Sequence, residues 1–302
     1  SDLVSWRFLR GKVGRLRGAW ARREMLRPVG ESRPLFLQNL FRTLRGRLDV
    51  VIITILVGAH AAGVYGASLN LIQRLDLVQD ALATALFPRV SSFQGRVTDE
   101  LRELVRLSFK LMLVVSLPLA IGIYGIAEDI VRIVFGIEFI EAIPVLGMLA
   151  FVIPFGFVYG LLFNVVGAMG RQDRVFKLSL LAFLPAVAAM VTCIWLAGAF
   201  GAAAGLLLGA AMHAIPLAVH YMRTVGGLAR MADLARIAAA NAVMAFCLWE
   251  SAGLHVALRV LACVAVYAFA ILAFRVVSVQ SIRALLAERA AGRRPGREDY
   301  LG

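Results

Sequence analysis

The sequence has few of the features that mark soluble enzymes and secreted proteins. Only 17% of its 302 residues are charged, and only three of these are lysines. Its 3 cysteines, Cys193, Cys247 and Cys263, lie in apolar stretches, which argues against a disulfide framework and favours small buried side chains. The 4 histidines show no metal-ligand spacing, and no phosphate-binding loop, CxxC motif or nucleophile elbow occurs. These absences argue against an enzyme and predict neither a metal site nor a bound cofactor.

Apolar residues dominate the chain. They make up 61% of the sequence, and the mean hydropathy is +0.81. Soluble domains contain about 45–50% apolar residues, and the surface that one soluble core can bury is limited by its size. The composition therefore predicts an all-α, polytopic membrane protein.

Several segments are long and apolar enough to cross a bilayer, which takes about 20 residues. Residues 178–222 contain no charged side chain, and as one helix they would measure roughly 67 Å, about twice the hydrocarbon thickness. We expect this segment to fold back at Gly198 and Gly201. The eight predicted spans are 35–58, 61–87, 109–126, 143–169, 176–200, 202–221, 234–252 and 254–277.

The charge is strongly asymmetric, with 32 Lys and Arg against 19 Asp and Glu. Outside the predicted spans, every cation except Arg132 lies on the side of the N-terminus. Positive loops mark the cytoplasmic side of a membrane protein. We therefore expect both termini to be cytoplasmic, and the basic segments to meet anionic membrane lipids and no nucleic acid.

Residues 1–34 form a basic segment ahead of the first span. Trp6, Leu9, Val13, Leu16 and Trp20 recur at helical spacing, with arginines between them. This pattern predicts an amphipathic helix on the membrane surface, and a solvated basic linker is the alternative. Residues 279–302 are predicted to form a basic cytoplasmic tail.

Polar side chains are concentrated in the first two predicted spans. In the first span, Gln38, Arg42, Arg45 and Asp49 fall on one helical stripe, with Arg47 beside it. Charges at membrane depth cost roughly 2.5–3.5 kcal/mol, so each requires a physical reason.

The second span carries two such stripes. Gln73, Asp76, Asp80 and Thr84 form one stripe, and Asn70 and Arg74 form the adjacent one. Two neighbouring helices with polar stripes are expected to line a shared water-filled cavity.

An anion is the expected ligand of this cavity, because the arginine fork matches phosphate oxygens. Arg74 is the strongest candidate for a substrate contact, and an internal ion pair with Asp49, Asp76 or Asp80 is its alternative. For Arg42 and Arg45, the alternative to a substrate contact is that their side chains snorkel to the cytoplasmic headgroups. The three aspartates either pair with the arginines or carry a coupling proton or Na+.

Two further pairs of residues carry structural expectations. Gly156 and Gly160 form a small-xxx-small pair that favours close helix contact. Glu250 and Arg259 flank the last predicted turn, where we expect an interfacial ion pair.

Two segments carry a family resemblance. The first segment covers residues 47–91, and the second covers the sequence IVRIVFGIEFIEAIPVLGMLAF. Their characteristic residues are Asp49, Gly63, Val64, Tyr65, Arg74, Pro88, Ser91, Phe135, Gly136, Phe139, Ala142 and Pro144. In these residues the sequence resembles the polysaccharide and lipid-linked oligosaccharide flippases of the multidrug/oligosaccharidyl-lipid/polysaccharide exporter superfamily.

The resemblance implies two lobes of six helices around a central cavity. Residues 1–34 then correspond to the cytoplasmic connector, 35–233 to the second lobe and 234–278 to an extra transmembrane hairpin. The first lobe is absent from this sequence, so the chain is expected to be a fragment that pairs with that lobe.

The implied activity is transport of a polyprenyl-pyrophosphate-linked sugar across the bacterial inner membrane by alternating access. Arg74, Arg42, Arg45 and Arg47 are expected to hold the pyrophosphate, with Gln38, Asn70 and Gln73 nearby. A multidrug or cation antiporter of the same superfamily, a membrane transferase and a non-transporting scaffold are the alternatives.

Overall fold

The computed structural model describes residues 48–93, 95–251, 253–274 and 276. The chain divides into two compact units, Ser1–Leu48 and Asp49–Gly302, and the account below concerns the second. Within the described ranges the chain forms helices joined by turns, without a strand. After a helical stretch over residues 48–56, the elements are α1 Ala59–Gln73, α2 Asp76–Ser92, α3 Asp99–Gly125, α4 Ala127–Val134, a 3-10 turn Ile137–Phe139, α5 Ala142–Ala150, α6 Val152–Ala168, α7 Gln172–Thr224, α8 Met231–Glu250 and α9 Val256–Ala273.

The predicted class, an all-α membrane protein, is confirmed, whereas the count of eight spans is not. Among the described residues, the helices long and apolar enough to cross a membrane are α3, α5 with α6, α7, α8 and α9. The second predicted span is divided into α1 and α2, which have 15 and 17 residues. Much of the first predicted span lies outside the described residues.

Helix α7 consists of two arms joined by a turn. Ala197 and Gly198 leave the helical conformation, and Gly198 has a φ of +56°, which glycine adopts without steric strain. Beyond the turn, Gly205 lies against Met190 and Gly209 against Ala186. These pairings run in opposite directions along the chain, so the two arms form an antiparallel hairpin, as the sequence predicts.

Helix α6 lies at the centre of the bundle and contacts α2, α3, α5 and α7. Its large side chains are buried, with Leu161 and Leu162 at most 1% exposed. On the side facing α2, Gly156 and Gly160 leave room for the side chain of Gln79. The close approach predicted for this glycine pair is therefore confirmed.

Helices α8 and α9 pack on each other and, mainly through α8, against α3. Their buried side chains form a small core of their own, around Met244 and Cys263. Lys110 of α3 pairs with Asp233 of α8 at 2.8 Å, and the Tyr267 hydroxyl of α9 donates to the Val114 carbonyl of α3. These polar contacts fix the C-terminal hairpin on the bundle.

The turns gather at two opposite ends of the bundle. At the cation-rich end, Arg102 Nε donates to the Val225 carbonyl and Arg106 Nε donates to the Gly227 carbonyl. At the other end, Arg259 pairs with Asp129 at 3.4 Å. The expected pair of Arg259 with Glu250 is wrong, because the Arg259 side chain instead contacts Asp129 and the Leu248 carbonyl.

Candidate substrate-binding face

Ten polar residues were predicted to form the substrate and ion sites, and six of them are described. The remaining four, Gln38, Arg42, Arg45 and Arg47, lie outside the described residues and stay predictions.

Asp49 is a buried carboxylate held by a tyrosine of the next helix. Its side chain accepts a hydrogen bond of 2.7 Å from the Tyr65 hydroxyl, and Asp49 and Tyr65 are 3% and 0% exposed. The other carboxylate oxygen accepts the backbone N–H of Val50. This contact joins the stretch 48–56 to α1, so the two predicted host helices are neighbours.

Arg74 lies at the interruption between α1 and α2. The amides of Arg74 and Leu75 donate to carbonyls three residues earlier, Leu71 and Ile72, so the last turn of α1 is tightened into 3-10 geometry. The site is roughly 22 Å along the helix from Ala59, within the hydrocarbon thickness of about 30 Å.

The side chains around this interruption form an exposed polar surface on the described unit. Asn70 and Gln73 occupy the last turn of α1, and with Arg74 they are spaced so that they lie on one face. Asp76 and Asp80 are exposed on the first turns of α2 and lie one helical turn apart. Asp49 is separated from this group by its burial against Tyr65.

Arg74 forms no ion pair with a carboxylate of the described part of the chain. In particular, Asp49, Asp76 and Asp80 do not come within 4.0 Å of its guanidinium group. Its five donors therefore remain available to a ligand.

Gln79 is a polar residue of this region that the sequence pattern did not single out. Its amide packs against Gly156 and Gly160 of α6, on the side of α2 that faces the bundle. It thereby holds the first turns of α2, with Asp76 and Asp80, against the central helix. Its polarity inside a predicted span was the signal that could have identified it.

The chemistry of the exposed face suits a phosphorylated or hydroxyl-rich ligand. A guanidinium group supplies a fixed positive charge with forked donors, and the Asn70 and Gln73 amides supply neutral donors and acceptors. The described residues contain no group of three or more His, Cys, Asp or Glu side chains placed to hold a metal ion.

The segment of the sequence that carries this polar face is similar to known proteins. Residues 4–144 match the family model of polysaccharide biosynthesis proteins, and this range includes every predicted site residue. The teichuronic acid biosynthesis protein TuaB of Bacillus subtilis (strain 168) is 25% identical over 138 residues, which are 46% of this chain and 29% of TuaB.

The fold is similar to that of the lipid II flippase MurJ in an inward closed conformation. The TM-score is 0.62 at 14% sequence identity, over 81% of this chain and 55% of the MurJ chain. The chain thus spans a little over half of MurJ and less than a third of TuaB.

The family match and the fold confirm the resemblance seen in the sequence. The long apolar helices and this fold are those of a multi-pass membrane protein. Residues 4–144 are therefore similar to polysaccharide biosynthesis proteins, and the fold of the chain is similar to that of MurJ.

Proposed function

We propose that this chain supplies the second lobe of a flippase that carries a polyprenyl-pyrophosphate-linked sugar from the cytoplasmic to the outer leaflet by alternating access. The observation that carries the proposal is Arg74, which is exposed on the described unit, lacks a carboxylate partner there and lies within a predicted span. The family match supports the same substrate class.

The energetic argument begins with the position of the guanidinium group. A charge at membrane depth costs roughly 2.5–3.5 kcal/mol unless it is paired or hydrated. Since no described carboxylate offsets the charge of Arg74, a water-filled cavity and an anionic substrate are its expected surroundings. A pyrophosphate can accept forked, charge-assisted hydrogen bonds from arginine.

The arginines of the first predicted span extend this site. The hydrogen bond between Asp49 and Tyr65 holds the stretch 48–56 beside α1. We propose that Arg42, Arg45 and Arg47, with Gln38, contribute to pyrophosphate binding, and that Asn70 and Gln73 contact the ligand beside Arg74.

The opposite wall of the cavity is proposed to come from a first lobe. The chain covers only 55% of MurJ, so a two-lobed transporter requires a second helical unit. Under this proposal the protein is an inner-membrane protein, with the cation-rich turns on the cytoplasmic side.

Asp76 and Asp80 are the proposed site of ion coupling. Two carboxylates one helical turn apart repel each other, so a proton, a Na+ ion or a guanidinium between them lowers their energy. Asp49 is assigned a positioning role, because its carboxylate already accepts the Tyr65 hydroxyl.

The experiment replaces Arg74 in a cell whose surface polysaccharide depends on this protein. Arg74→Ala should abolish surface polysaccharide while the protein remains in the membrane at its normal level. Arg74→Lys should restore part of the activity, because it keeps the charge and loses the fork. The matched control is Arg132→Ala, which removes an arginine paired with Glu128 at the opposite end.

Two results would contradict the proposal. Normal polysaccharide in the Arg74→Ala strain would remove the residue from the substrate site. Normal polysaccharide with an altered sensitivity to cationic drugs would favour the antiporter alternative.

A further inference from the structure

A polar cavity lies at the cation-rich end of α7, and none of the residues assigned to the substrate lines it. It has a volume of about 490 Å³ and is lined by Arg171, Arg174, His220 and Thr224. Arg171 directly precedes α7 and Arg174 lies in its first turn, whereas His220 and Thr224 lie at the end of the second arm. The antiparallel fold of α7 therefore brings both ends of one helical hairpin to a single cavity.

The side chains of this cavity carry unused hydrogen-bonding capacity. Neither Arg171 nor Arg174 pairs with an acidic side chain among the described residues, although Asp173 lies between them in sequence. His220 Nε2 is buried and has no hydrogen-bond partner within the described part of the chain. A buried polar atom without a partner is costly, and it indicates that a ligand or water completes the site.

The charge of the cavity selects an anion. Two guanidinium groups line it, and no carboxylate of the described residues pairs with either of them. A tetrahedral phosphate can accept hydrogen bonds from both. Thr224 has a different part in the site. Its hydroxyl donates to the His220 carbonyl at 2.9 Å, which ties the end of the second arm back onto the turn that carries the imidazole.

The surface next to the cavity favours a lipid as the source of the phosphate. Leu181 is two helical turns from Arg174 on the same face of α7, about 10 Å along the axis. Leu181 and Leu184 are each 74% exposed, and Phe176 and Leu180 are also exposed. A molecule with its phosphate at the arginines can therefore lay an acyl chain along this apolar surface.

We propose that the cavity of Arg171, Arg174 and His220 binds the headgroup phosphate of an anionic membrane lipid. The bound lipid bridges the two ends of the α7 hairpin. In the proposed orientation it belongs to the cytoplasmic leaflet. The site does not depend on Arg74 or on the transport of a sugar.

The experiment measures lipid retention by the purified full chain in detergent, using native mass spectrometry after addition of phosphatidylglycerol or phosphatidylcholine. The test variant is the double substitution Arg171→Gln with Arg174→Gln. The control is Lys177→Gln with Arg223→Gln, which removes two exposed cations of the same helix that do not line the cavity.

The wild-type chain and the control should retain phosphatidylglycerol in preference to phosphatidylcholine. The test variant should retain about tenfold less, because two charge-assisted contacts are lost. The Arg171→Lys, Arg174→Lys chain keeps both charges and should recover most of the binding. This recovery distinguishes loss of the site from loss of the fold, as does an unchanged melting temperature.

Three results would overturn the proposal. The first is equal retention of phosphatidylglycerol by the test and control variants. The second is equal retention of the two lipids by the wild-type chain. The third is displacement of the lipid by millimolar inorganic phosphate, which would assign the cavity to a free anion instead of a headgroup.

Discussion

Three glycines on one face of the second arm of α7 determine how closely the two arms of the hairpin approach. Gly201, Gly205 and Gly209 are spaced four residues apart and face Cys193, Met190 and Ala186 of the first arm. Replacing each glycine in turn by alanine adds the same methyl group at three different clearances. Alanine is favoured over glycine in a helix by about 1 kcal/mol, and this gain is the same in each variant. Differences in stability among the three variants therefore report packing alone.

The clearances predict the order of the effects. A Cβ atom at Gly201 would overlap the Cys193 carbonyl oxygen, and one at Gly205 would lie 2.7 Å from the Cα atom of Met190. Since carbon atoms prefer about 3.5–4.0 Å, the arms must separate by about 1 Å at Gly205. At Gly209 the new atom would lie 3.5 Å from the Ala186 methyl group, which is ordinary contact.

Overpacking of this kind typically lowers the free energy of unfolding by about 1–3 kcal/mol. Relative to Gly209→Ala, we therefore expect melting temperatures roughly 2–10 °C lower for Gly201→Ala and Gly205→Ala. Thermal unfolding of the purified variants in one detergent, followed by intrinsic tryptophan fluorescence, measures the difference. Equal melting temperatures for all three variants would refute the hairpin packing.

The remaining predictions concern contacts between helices. Tyr65→Phe removes the donor to the buried Asp49 carboxylate, so the free energy of unfolding should fall by about 1–3 kcal/mol. Tyr124→Phe, on a ring that is 59% exposed, should leave it unchanged, and equal stability of the two variants would exclude the buried bond. A double-mutant cycle with Lys110→Met and Asp233→Asn should give a coupling energy of about 1 kcal/mol, and its absence would show that this pair does not fix α8 on α3. The Sγ atoms of Cys247 and Cys263 are 3.9 Å apart, so treatment with a mild thiol oxidant should lower the number of free thiols counted after unfolding from three to one. An unchanged count would argue against the packing of α8 on α9.

Hydropathy and charge predict much of this fold. Long apolar segments identify α3, α7, α8 and α9, because a helix that crosses a bilayer has to be long and apolar whatever other helices it contacts. The turn at Gly198 follows from the same argument, since an uncharged segment of that length has to reverse. The distribution of arginine predicts which turns share one end of the bundle, and the contacts of Arg102 and Arg106 with residues 225 and 227 agree with it.

Contacts between distant residues are harder to predict. The Asp49 stripe predicts a residue facing a cavity, but the structure buries the carboxylate against Tyr65, sixteen residues later. Arg259 was expected to pair with Glu250 across a short turn, and it pairs with Asp129, which is 130 residues away. Periodicity identifies the face of a helix, whereas the partner of that face depends on how the other helices pack.

The small residues of α7 illustrate the same limit. The spacing of Gly201, Gly205 and Gly209 is visible in the sequence, yet apolar composition alone does not distinguish it from the other glycines. The role of this spacing becomes clear only from the structure, in which Met190 lies against Gly205 and Ala186 against Gly209.

Binding of a polyprenyl pyrophosphate to the purified protein tests the central proposal most directly. The dissociation constant is compared among the wild-type, Arg74→Gln, Arg74→Lys and Arg132→Gln proteins. A hydrogen bond to a charged group contributes about 1.5–3 kcal/mol, so Arg74→Gln should weaken binding about tenfold or more, with Arg74→Lys intermediate and Arg132→Gln unchanged. An Arg74→Gln protein that binds the lipid as tightly as the wild type would contradict the assignment of Arg74 to the pyrophosphate.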